Sequence, residues 1–137
     1  MLFQGQEFLS YSSFDFPVPP NLNWDAAEQN KGIVNEVSAL LRLPIVPGAS
    51  AAFALAPLRV IAVCNSLVCL LNFGPALLAT PVHVPCANRP GKWQQVFNGD
   101  STQYFPSFQG IGSQEIDFDA NGTAVVDIGP FSMLCFH

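Results

Sequence analysis

The sequence predicts a mainly β protein: an antiparallel β-sandwich preceded by a single strand, loop and helix. Three observations carry this. Apolar runs rich in Val, Ile, Leu and Phe recur after Gly48, Asn121-Gly122 gives a turn signal between two of them, and one helical stripe precedes Pro44. With 137 residues the chain has room for one compact domain with a buried core, and not for two full ones.

Met1, Leu2 and Phe3 form a short apolar run without alternation, as in a strand buried on both faces of a parallel sheet or barrel. Gly5 breaks it, and residues 11–23, with Pro17, Pro19 and Pro20 among serines and asparagines, have the composition of an irregular loop. A helix is predicted from Asp25 as N-cap, with Glu28 three residues on and Ile33, Val34, Val37, Leu40 and Leu41 forming one apolar stripe. Lys31 and Glu36 fall off that stripe, toward solvent, and Pro44 ends the helix because it has no N–H to donate.

Pro44, Pro47, Gly48 and Pro57 cluster at a boundary, which divides the chain into residues 1–47 and 48–137. Strands are predicted over 58–64 and 67–73, joined at Asn65-Ser66, and then over 81–86 and 91–97. Residues 115–119 and 123–128 form a predicted hairpin, because Asn121-Gly122 supplies the positive φ angles of a type I′ turn. A strand over 131–136 closes the chain.

Half of the residues are hydrophobic, only 11% are charged, and the net charge is −5. The cations Lys31, Arg42, Arg59, Arg89 and Lys92 are scattered, which disfavours nucleic acid and anionic membranes as ligands. So apolar a chain anticipates a partner or self-association. The first ten residues lack a basic segment and contain Glu7, so they do not read as a secretory signal, and the cytoplasm is the default expectation. Pro57, Arg59, Asn65, Asn72 and Pro75 interrupt residues 51–80 and leave no run near the ~20 apolar residues of a membrane span.

Cys64, Cys69, Cys86 and Cys135 lie in apolar runs without the close-spaced pairs that zinc sites favour. Buried free thiols are preferred here over a disulfide or a metal. His83 stands between Val82 and Val84 with no second ligand nearby, so no metal and no cofactor are anticipated.

The segment MLFQGQEF, followed by Phe14-Asp15 and Pro20-Asn21-Leu22-Asn23-Trp24, resembles the end of the eighth barrel strand and its loop in glycoside hydrolase family 13. The similarity is greatest to the α-1,4-glucan branching enzymes and their α-amylase relatives, with Asn23 where the family usually has Asp. Residues 31–43 look like the family's last barrel helix. The stretch VFNGDSTQYFPSF, with Gly129-Pro130-Phe131-Ser132, resembles its C-terminal all-β domain. This resemblance implies a residual (β/α)8-barrel strand and helix ahead of the sandwich. It also implies a parent enzyme that acts on glycogen, starch or maltooligosaccharides by a retaining mechanism, with two carboxyls ~5 Å apart across the anomeric carbon. The family's catalytic Asp, Glu and Asp would all lie upstream of Met1, so no residue of this chain inherits a catalytic role.

The substrate-binding candidates are Gln6, Glu7, Trp24, Trp93 and Tyr104. Gln6 and Glu7 follow the first strand, where a barrel keeps its binding residues, and a structural hydrogen bond is the competing use. Trp24 at a loop-to-helix junction is read more readily as a packing staple than as a sugar platform. Trp93 and Tyr104, with Phe105 and Phe108, surround Asn98-Gly99-Asp100, and core packing is preferred over stacking on glucose for them too. Glu115, Asp117 and Asp119 share one face of a strand but read as its solvent side, because Ile116 and Phe118 point the other way.

Overall fold

The computed structural model describes residues 9, 24–46, 50–56, 58–85 and 90–137. The predicted first strand, the loop at 11–23 and Cys86 lie outside them. Two helices, α1 (Trp24–Gln29) and α2 (Lys31–Leu41), precede eight strands. These are β1 (Ala51–Leu55), β2 (Val60–Cys64), β3 (Val68–Asn72), β4 (Leu78–His83), β5 (Gly91–Asn98), β6 (Glu115–Phe118), β7 (Thr123–Ile128) and β8 (Met133–Phe136). The fold is mainly β, and every strand pair in it is antiparallel, as predicted.

Six strands form one sheet in the order β1-β2-β3-β8-β5-β6, and β4 pairs with β7 in a second sheet. Alternation along the strands gives the larger sheet two apolar faces. On one face Val60, Ala62, Val68, Leu70, Leu134 and Phe136 pack with Val82, Val126 and Ile128 of the small sheet in the principal core. On the other, Phe97 and Cys135 join Tyr104 in a second cluster, closed by Ala39, Leu40 and Leu43 from the end of α2 and the turn after it. The order across the molecule is helix, large sheet, small sheet.

One residue sets which face β5 offers to each cluster. Gln95 pairs with Phe136 while Phe97 pairs with Cys135, so Val96 is an extra residue, a β-bulge. A one-residue slip sends every later side chain to the opposite face. Trp93, before the bulge, therefore lies in the principal core, and Phe97, after it, lies beneath α2.

Several expectations need correction. The helix is interrupted at Asn30, and Asp25 sits in the first turn of α1 rather than capping it. Glu36 is half-buried against the end of the sheet, not on the solvent side. Residues 115–118 and 123–128 do not form the predicted hairpin ladder: β6 pairs with β5 and β7 with β4, so the turn passes from one sheet to the other. Its chemistry also differs, since Gly122 takes a positive φ of 74° and Asn121 does not. The Asp119 carboxylate accepts the N–H groups of Asn121 and Thr123, each at 2.8 Å, which supports the turn without a left-handed Asn.

The cysteines are corrected as well. Cys69 and Cys135 are joined in a disulfide between β3 and β8, and Cys64 is also disulfide-bonded. No free thiol remains among the described residues. Burial and the lack of zinc-like spacing favour free thiols in the sequence, and partners 66 residues apart leave no local signal of their pairing.

Candidate functional site

The loop after β5 is built on Asn98 and Asp100. The Asn98 side-chain oxygen accepts the Asp100 N–H at 2.8 Å, and an Asp100 carboxylate oxygen accepts that of Ile111 at 2.8 Å. The Asp100 carbonyl then takes the Gly110 N–H at 2.7 Å, closing residues 100–110 into a compact loop. Beside it Gln95, Asn98, Ser101, Thr102, Gln103 and Gln114 line an open, polar hollow of about 380 Å³.

The residues singled out in the sequence are dispersed. Gln6 and Glu7 lie outside the described residues. Trp24 is 66% exposed at the start of α1. Trp93 is only 7% exposed and meets Phe118 edge-on, with ring centroids 6.0 Å apart. Tyr104, 8% exposed, stacks on Phe97 at 6.1 Å. Burial pushes its phenol above the usual range, opposed by a hydrogen bond to Gln103. Trp93 and Tyr104 are thus both largely buried within the protein.

The three carboxylates of the strand edge are exposed. Glu115 accepts a hydrogen bond from Lys92 at 2.7 Å and another from Gln94, and the Lys92 bond above all holds its carboxyl below the usual range. Asp119 is lowered chiefly by the Thr123 N–H. Such partners favour the ionised forms, the opposite of what a proton-donating acid requires. Among the described residues no group of three or more His, Cys, Asp or Glu is placed to hold a metal. No described helix is long and apolar enough to cross a membrane.

Sequence reasoning missed a cleft of about 330 Å³ at the end of the large sheet. Glu36, Leu71, Asn72, Phe73, Phe131 and Met133 line it. On the face under α2, the β3–β8 register pairs Cys69 with Cys135 and Leu71 with Met133, and Phe73 and Phe131 lie just beyond the paired residues of the two strands. These two residues are 55% and 72% exposed.

The cleft has a fixed floor. The buried Asn72 amide donates to the Gly129 carbonyl at 2.8 Å and to that of Ala76 at 3.1 Å, and its oxygen accepts the Gly74 N–H at 2.8 Å. The Phe131 N–H donates to the Gly74 carbonyl at 3.1 Å, and Phe131 is held at φ 48°, a conformation bulky residues seldom adopt. The available signal was an aromatic at each strand end next to a Gly-Pro pair, Phe73 before Gly74-Pro75 and Phe131 after Gly129-Pro130.

A family model described as alpha amylase, C-terminal all-beta domain, matches residues 53–137, from within β1 to the end of the chain. Comparison with curated proteins finds no match.

Proposed function

Since the chain belongs to the family of the alpha-amylase C-terminal all-beta domain, we propose that it is the C-terminal part of an α-glucan-active enzyme of the 1,4-α-glucan branching type, with the β-sandwich in an accessory role. The family match over residues 53–137 supports an α-glucan-active parent, and the branching type rests on the resemblance of the first residues. The resemblance of residues 1–43 to a last barrel strand, loop and helix supports it. So do Leu41, Ile45 and Val46, exposed apolar residues at the end of α2 that a preceding barrel would cover.

In this reading the reaction's carboxylates belong to the preceding barrel and the chain alone is inactive. Of its exposed acids, Glu115 is taken up in a salt bridge and Asp119 in a turn. The cytoplasm expected from the first residues is weighed in this reading against the disulfides, which favour an oxidising compartment, where such bonds persist.

Recovery of the full-length transcript tests the proposal. A barrel upstream of Met1 with an Asp nucleophile and a Glu acid/base is expected, and its product should carry new α-1,6 branch signals in the NMR spectrum of treated amylose. A transcript without that barrel, or cleavage of amylose by the 137-residue chain itself, overturns it. New reducing ends without branches would make the parent a hydrolase.

A further inference from the structure

We propose that the cleft between Phe73 and Phe131, with Glu36 at its rim, is a binding site for an α-1,4-glucan chain. It rests on the proposed function, which makes α-glucan the parent's substrate, and adds where this chain would touch it.

Phe73 and Phe131 flank the paired ends of β3 and β8, both line the cleft, and both are largely exposed to solvent. Their backbone is fixed by Asn72 and by the Phe131 to Gly74 hydrogen bond. A pyranose ring has an apolar C–H face that fits such a platform, and rigid aromatics lose little entropy on binding. A cleft of about 330 Å³ falls at the lower end of the range for small-ligand sites.

Glu36 distinguishes a sugar from an apolar protein surface. Its carboxylate reaches the sheet end beside Gly99, where a Cβ would stand 3.4 Å from Oε1. It is half-buried and accepts no hydrogen bond among the described residues. An apolar partner seated on Phe73 and Phe131 would seal that carboxylate away from water with no donor, which is unfavourable. A glucan brings hydroxyl donors to the same place, and the cleft's lone carboxylate repels a phosphate.

Native electrophoresis of the 137-residue chain in gels with and without amylopectin tests the site, with maltoheptaose titrated by NMR. Retardation by amylopectin and shifts at the Gly99 and Ser132 amides are expected. Phe131→Ala should weaken maltoheptaose binding about tenfold or more, and Glu36→Gln several-fold. Both variants should keep the wild-type far-ultraviolet spectrum and a cooperative melt, since neither side chain is in the core. No retardation, or retardation unchanged in a folded Phe73→Ala/Phe131→Ala double variant, overturns the site. So does a response confined to tetramethylammonium, which would make the cleft a cation cage. Each such failure leaves the parent enzyme to be decided separately, by whether transcript recovery finds the upstream barrel.

Discussion

Cys69 and Cys135 face each other across β3 and β8 with Cα atoms 4.1 Å apart. The Asn72 N–H bonds the Ser132 carbonyl, so rungs at 72, 70 and 68 carry the hydrogen bonds and the rung at Cys69 does not. Side chains approach closest on the rungs without hydrogen bonds, and that is where a disulfide can join two strands of one sheet. The bond closes a 66-residue separation and secures the last strand in the centre of the large sheet. Replacing the pair by Cys69→Ala/Cys135→Ala is expected to cost about 2–4 kcal/mol in urea unfolding. Equal midpoints for variant and wild type would show that packing alone holds β8.

Gly32 in α2 faces the loop after β5. A Cβ there would overlap the Tyr104 carbonyl oxygen and stand 2.8 Å from Phe105 Cζ. Ala is ordinarily the better helix former by about 1 kcal/mol. Here the obstruction includes backbone, so Gly32→Ala is expected to destabilise by about 1–3 kcal/mol despite that preference. A thermal melt decides the sign, and a raised Tm would mean that α2 is free to move off the loop.

Val96 is a poor candidate for deletion although it is exposed. Removing it straightens the β5–β8 register and turns Phe97 away from Tyr104 and toward the principal core. Phe97 would vacate its buried place, a loss of about 3–5 kcal/mol by analogy with truncation of a core Phe. The deletion variant should lose cooperative unfolding, whereas Val96→Thr should melt within a few degrees of the wild type. A well-folded deletion variant would show that the bulge does not set the facing of β5.

The bulge also illustrates what the sequence conveyed. Alternation in β2 and β3 was legible because Val60, Ala62 and Cys64, then Val68 and Leu70, all face one core. β5 carries Trp93 and Phe97 with ordinary strand parity, and nothing local reveals that Val96 sends them to opposite faces. The turn at Asn121-Gly122 was visible, but a tight turn predicts a change of direction and not which sheet receives each arm. The cleft escaped because Phe73, Phe131 and Glu36 come from three distant segments that only the β3–β8 register and α2 bring together.

Asn72 is a buried amide with all three of its hydrogen bonds directed at backbone. Asn72→Asp keeps the acceptor for Gly74 but sets a carboxylate oxygen against the Gly129 and Ala76 carbonyls. A buried, unpaired acceptor costs about 1–3 kcal/mol, and more when charged. The variant is therefore expected to be destabilised at neutral pH and partly restored in acid, when the carboxyl can donate again. Chemical unfolding at about pH 7 and about pH 4, compared with Asn72→Ala, separates the charge from the lost bonds.

Glu36 is expected to act on stability and on the proposed binding with opposite signs. Burial raises its pKa above the ordinary 4.5, so the folded protein favours the protonated acid. The stability this contributes is fully present below the unfolded value and is lost as the pH rises through the higher folded value. At neutral pH the ionised Glu36 is a burden, and Tyr104, whose own pKa its charge helps to raise, stays neutral until the alkaline range. Glu36→Gln is expected to raise Tm by about 1–3 °C at neutral pH, with the difference closing toward about pH 4. The acid-side losses from Glu115 and Asp119, both of whose pKa values are lowered, occur equally in the two proteins and cancel in the comparison. A raised Tm together with the weaker maltoheptaose binding expected of the same variant would mark Glu36 as placed for a ligand rather than for stability. A Gln variant no more stable than wild type would return Glu36 to the role of an ordinary half-exposed side chain.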